Sequence, residues 1–248
     1  MFNFKIKLIV AAFAFLGIAA FIGCQKNEST AKPPVNDEVN LELFNYIGYW
    51  HNVAVKSVYK KLSAKGNVNY KTIREEMIGA LNSIDPNTFD LTAMHQDAIT
   101  SDSILSSEIN RVINDSVLIV NSETFLLTFD YLQSNQYISI DLYNALVNLN
   151  DMVDNSVANE DFLYEVHQLS NQRWSSSDQV YVNTLIQVVD ASYDFWVTNG
   201  GYNGKACTLC IIWADTAGAA YGLLIGPVGS IIEGAVFSTI AYINNPES

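Results

Sequence analysis

The chain predicts an all-α fold, a multi-helix bundle ending in a Gly/Ala-rich hydrophobic helical hairpin. Three observations carry this. Apolar residues recur at three-and-four spacing in segment after segment from Val39 to Thr198, the period of one helix face. Ser, Asn and Asp stand ahead of those segments, where helices take their N-caps. Small residues fall at every fourth position from Ala214 to Gly226 and again from Ser230 to Ser238. No segment recurs at a fixed period, which excludes a recognised repeat solenoid.

The first helix is expected from Val39 to Leu62, on Leu43, Ile47, Trp50, Val53, Ala54, Val58 and Leu62, with Asn36 or Asp37 before it and Gly66 after it. The second runs from Tyr70 to Ile84 on Ile73, Met77, Ala80 and Leu81. Asp85-Pro86 stops it, because a residue before proline is pushed out of the helical region. Asn87–Thr100 is ambiguous between a short helix and a packed loop, whereas Ser101 to Asn114 reads as a helix on Ile104, Leu105, Ile109, Val112 and Ile113. Val117-Leu-Ile-Val120 is strand-like but has no partner of similar quality, so it is read as a buried link. Further helices open at Ser122, Ser139, Asn159 and Ser175, the last running to Thr198 and closed by Asn199-Gly200-Gly201.

The C-terminal segment has a different composition. Asp215 and Glu233 are its only charges between Ala206 and Ile243. Its first half carries Gly218, Gly222 and Gly226 in a G-x-x-x-G-x-x-x-G run, and its second half carries Ser230, Gly234 and Ser238. Gly226-Pro227-Val228-Gly229 separates the two. A glycine costs an exposed helix up to about 1 kcal/mol relative to alanine, so regular glycines ask for close backbone packing. The two stripes predict an antiparallel hairpin pressed together at the small residues. The pattern resembles the glycine zippers of bacterial envelope proteins and of some small pore-forming bacteriocins, a resemblance of packing that implies no activity. Such a hairpin is either the buried centre of the bundle or a segment that enters a bilayer, as in pore-forming toxins. Its length permits insertion. Two carboxylates at a few kcal/mol each oppose it, so the buried placement is favoured.

At the N-terminus, Lys5 and Lys7 precede an uncharged apolar run from Leu8 to Gly23, and Cys24 follows. This order is that of a cleaved export signal. Phe21-Ile-Gly-Cys24 resembles the lipobox of bacterial lipoproteins, with Phe21 where that family usually has Leu. The resemblance implies a signal peptide over 1–23 and a diacylglycerol and palmitate anchor on Cys24. It also implies a partner, the membrane, in the cell envelope; the outer membrane is the expected one, with its face left open. Residues 24–38 are polar and Pro-containing, a flexible tether. The amphipathic helical domain then covers 39–205, and the hairpin, 206–248, packs on the same domain.

Cleavage leaves 225 of the 248 residues, enough for one domain or for one large and one small. Losing Lys5 and Lys7 takes the formal charge from −13 to −15. That balance argues against nucleic acid, which wants a basic face, and against electrostatic docking to anionic lipid. With Cys24 lipidated, Cys207-Thr-Leu-Cys210 remains, a spacing that serves redox couples, half zinc sites and local disulfides. No strand–helix setting precedes it and no second pair completes a zinc site, so a structural disulfide or buried thiols is the favoured reading. His51, His95 and His167 sit on separate predicted helices, and no metal or cofactor is expected. Glu75-Glu76, Asp151/Asp154 and Glu160-Asp161 read as solvated faces and helix starts. Tyr46, Tyr49, Trp50, Tyr193 and Trp196, at helical spacing, read as core. Asp102-Ser-Ile, Asp115-Ser-Val and Asp215-Thr-Ala resemble the O-glycosylation triplet of Bacteroidota. No nucleophile elbow, phosphate loop or dinucleotide fingerprint is present. The expected role is non-enzymatic, a binding or scaffolding module meeting an envelope protein or a glycan. A membrane-active, toxin-like protein acting through 206–243 is the alternative, and an envelope hydrolase ranks third.

Overall fold

The computed structural model describes residues 43–63, 69–107, 121–198 and 207–244. Among them are nine α-helices and no strand: α1 Ile47–Ser63, α2 Tyr70–Ile84, α3 Leu91–Ser107, α4 Ser122–Ser134, α5 Ile140–Asp154, α6 Asn159–Gln168, α7 Ser176–Tyr193, α8 Thr208–Gly222 and α9 Pro227–Asn244. The fold is the all-α bundle that the periodicity predicts. A π turn, Asp194–Thr198, extends α7, and a 3-10 turn, Leu223–Ile225, extends α8.

Side chains placed just before the helices satisfy their first N–H groups. Asn69, Asn121, Ser139 and Ser175 accept from Thr72, Thr124, Leu142 and Asp178 at 2.9–3.2 Å. Asp90 accepts from Ala93 N–H at 2.9 Å, so α3 starts at Leu91 rather than at Ser101. The ambiguous stretch and the front of the expected 101–114 helix are one element, and Ser101 is a buried mid-helix residue. The expected first helix is interrupted by a turn at Asn45 and Tyr46, with Leu43 and Phe44 helical before it, and its expected start at Val39 lies outside the described residues. The signal, the tether, Gly66, the Val117–Val120 link and the Asn199–Gly201 cap lie outside the described residues.

Hairpin α8–α9 forms the centre. Every residue from Ile211 to Leu223 and from Gly229 to Ala241 is buried. The two helices run antiparallel along each other; α9 also packs on α1, α2 and α3, and α8 on α7, α4 and α5. Helices apolar on all sides belong either in a core or in a membrane, and here the amphipathic helices supply the core. Trp213 of α8 meets the rings of Phe125, Phe129 and Phe162 at centroid distances of 6.4, 5.5 and 5.7 Å, and its indole N–H donates to Asn150 Oδ1 at 2.9 Å.

The small residues work as contacts, with one correction. A Cβ on Gly218 would strike the backbone carbonyl of Glu233, and one on Gly222 would strike Gly229 and Ser230. Ser230 Oγ donates to Ala219 O at 2.8 Å, stitching the pair. Ser238 bonds within its own helix, to Ala235 O at 3.2 Å. Gly226, expected as the third packing glycine, makes no such contact: a Cβ there would meet nothing within 4 Å. Helix α8 has ended by then, and Gly226 turns the chain at φ 106°, a conformation that side chains rarely adopt. Gly229, read only as part of the break, takes the packing role opposite Gly222 O.

Candidate functional site

Both charges of the hairpin lie in the core; Asp215 gathers partners from three other helical segments and Glu233 from two. On α8, Asp215 is fully buried. It accepts from His51 Nε2 of α1, from Ser192 Oγ of α7, and from Trp196 Nε1 of the π turn at 3.2 Å. His51, Ser192 and Trp196 are equally buried. The other ring nitrogen of His51, Nδ1, faces Asn52 Oδ1 at 3.2 Å. Asn52 is oriented by donating its Nδ2 to Ala191 O at 2.7 Å, which leaves an oxygen, an acceptor only, toward the ring. The His51 ring is thus held on both sides, by the Asp215 carboxyl at Nε2 and by Asn52 Oδ1 at Nδ1. Gly234 provides the seat: a Cβ there would come within 3.2 Å of the His51 ring and 3.0 Å of Asp215 O.

On α9, Glu233 is also buried. Its Oε2 accepts from Tyr70 of α2 at 2.6 Å and its Oε1 from Ser101 of α3 at 2.8 Å. Tyr221 of α8 completes the group by donating to Ser101 O at 2.6 Å. Arg74 of α2 lies 3.6 Å from Glu233 Oε1, donates to the Tyr70 hydroxyl at 3.0 Å, and pairs with Asp102 at 2.8 Å. Burial pushes the Glu233 carboxyl above its ordinary range, and Arg74 with the Tyr70 and Ser101 bonds draws it only part of the way back. Burial, then the charge of Glu233, holds the Tyr70 phenol well above its usual value, so it remains a donor.

Ser192, His51 and Asp215 are the residue types of a nucleophilic triad, but the connectivity differs. Both the hydroxyl and the imidazole bond the carboxylate, so the imidazole has no serine proton to take. All three are sealed from solvent. The pocket lined by Arg74 and Glu233 is no larger than one water. Each cluster is therefore arranged to fix helices rather than to admit a substrate.

The remaining candidates are dispersed. His95 lies 3.7 Å from Glu75 and His167 bonds Asp190 at 2.8 Å, both at the surface. No three metal-ligating side chains converge among the described residues. The carboxylates of Glu75, Asp151, Asp154, Glu160 and Asp161 are exposed, and Glu76 pairs with Lys61. Trp196 is core, but Tyr46 and Tyr49 are 51% and 63% exposed, contrary to the core reading. Of the three sugar-acceptor triplets, Thr216 is buried inside α8, Ser103 is exposed on α3, and Ser116 lies outside the described residues. Cys207 and Cys210 form a disulfide across the first turn of α8. Cys207 is exposed and Cys210 half-buried.

No protein-family model, curated protein or solved structure matches the chain. The class that fold and site define is an all-α bundle built around a buried helical hairpin.

Proposed function

We propose that this is a lipid-anchored protein of the bacterial envelope, held through Cys24, whose helical body is a non-enzymatic binding or scaffolding module. The observation that carries this is the pairing of both hairpin charges inside the bundle. A body whose most apolar helices are consumed by its own core takes its membrane attachment from elsewhere, and the lipobox-like Phe21–Cys24 supplies it. Two or more acyl chains suffice for stable anchoring, at roughly 0.8 kcal/mol per buried methylene. Its partner is an envelope protein or a glycan, met from the outer membrane. Radiolabelled palmitate tests the anchor: the wild type should incorporate label and pellet with membranes, whereas Cys24→Ala should do neither. Labelled, membrane-bound Cys24→Ala would overturn the proposal.

One observation favours a second reading. Thr208–Ile225 is long and apolar enough to cross a bilayer, so a membrane-active hairpin remains the alternative. It would have to break both ionic clusters to leave the core. Liposome leakage by the purified protein discriminates the two.

A further inference from the structure

We infer that Cys207–Cys210 is a redox-active couple that exchanges disulfides with the dithiol of a client protein, rather than a crosslink that holds the fold. Its position argues against a structural role. Stabilisation by a disulfide grows with the loop it closes, and this one spans a sequence separation of only three. The turn it closes is already made by the helix, with Ile211 N–H donating to Cys207 O at 3.1 Å. Opening the bond therefore leaves α8 intact.

The two sulfurs are unequal in the way exchange requires. Cys207 is the N-cap of α8, and its Sγ accepts from Cys210 N–H at 3.2 Å. The free N–H groups and the positive end of the helix stabilise negative charge there, which favours the Cys207 thiolate and hence the reduced pair. Cys207 is also the exposed sulfur, whereas Cys210 packs against the core. An incoming thiolate therefore reaches the first more readily than the second.

The reaction balances without any group beyond the client. A client thiolate attacks Cys207 Sγ; the Cys207–Cys210 bond breaks, and Cys210 leaves with the electron pair and takes up a proton. The client's second thiolate then attacks its own sulfur in the mixed disulfide, and Cys207 leaves as a thiolate. The client dithiol becomes a disulfide, and two electrons pass to the cysteine pair. A small-molecule disulfide of the oxidised-glutathione class returns the pair to its starting state by the same steps in reverse. None of this depends on the lipid at Cys24.

The test uses full-length protein extracted in detergent. After reduction, iodoacetamide labelling at pH 6 is followed by peptide mass spectrometry. Cys207 should label roughly tenfold faster than a free cysteine, reflecting its thiolate fraction. Millimolar reduced glutathione should open the disulfide with the far-ultraviolet circular dichroism unchanged, and Cys210→Ser should accumulate a mixed disulfide with a synthetic peptide disulfide, the Cys207 thiolate displacing one peptide sulfur as a thiolate. Ordinary reactivity of Cys207, a bond that survives glutathione, or loss of helix on reduction would each overturn the inference. The wild-type measurements decide it even where Cys210→Ser fails to fold.

Discussion

At Asp215 a carboxylate with no exposed surface accepts three hydrogen bonds from groups that are themselves sealed. Removing it leaves a buried imidazole, hydroxyl and indole without an acceptor. Asp215→Ala should therefore cost about 3–5 kcal/mol, the scale for breaking a buried pair. Asp215→Asn, which keeps an acceptor oxygen, should cost less; urea unfolding of both variants measures the difference. Glu233 carries a pH signature of defined sign. Its folded carboxyl holds a proton at pH values where the unfolded chain has lost it. Stability contributed at this site must then rise as pH falls from the raised value toward the ordinary glutamate range. Denaturation midpoints at graded pH should show the wild type gaining on Glu233→Gln over that window; a loss would contradict the burial argument. The bases of both clusters were within reach of sequence reasoning. His51 lies four residues after Ile47 and three before Ala54, and Arg74 four after Tyr70 and three before Met77. Each is therefore a charge or potential charge on an apolar stripe. Two acids in an apolar hairpin call for such partners. What periodicity does not say is which base meets which acid, because that depends on how the helices pack.

Helix contacts in the hairpin are set by backbone approach, so the effect of each glycine differs. Gly218→Ala and Gly222→Ala drive a methyl into the facing backbone, and such overpacking costs about 1–3 kcal/mol. Gly79 is the control: it is exposed on α2, and a methyl there would meet nothing within 4 Å. Gly79→Ala should stabilise by up to about 1 kcal/mol through helix propensity. Matched thermal and urea unfolding of the three variants reads the contrast, and a destabilised Gly79→Ala would refute it. The fourfold spacing disclosed Gly218, Gly222 and Gly234 as contacts. It overshot at Gly226 because a 3-10 turn ends α8 three residues earlier, and spacing cannot sense where a helix stops. Start signals fared unevenly for a related reason. Ser139 and Ser175 are true caps, whereas Ser101, the same residue type, sits in mid-helix because Asp90 had already started α3.

For the molecule as a whole, the amphipathic helices and the apolar hairpin depend on each other. Helices α1, α2, α4 and α7 all pack on the hairpin as well as on neighbouring helices, and α8 and α9 have no polar face to show to water. The hairpin should accordingly be the last part to open, and its amides should exchange hydrogen only through global unfolding. Contact with a bilayer offers the decisive comparison. If the body stands off the membrane on its tether, exchange in α8 and α9 will be equally slow with and without lipid vesicles, and entrapped dye will stay inside them. If the hairpin leaves the core, α1, α2 and α7 must lose the surface they pack against, together with the bonds to Asp215 and Glu233. Their exchange would then accelerate on adding vesicles while that of α8 stayed slow in the bilayer. Hydrogen-exchange mass spectrometry resolves these segments separately, so faster exchange confined to the surrounding helices would favour the membrane-active protein over the anchored module.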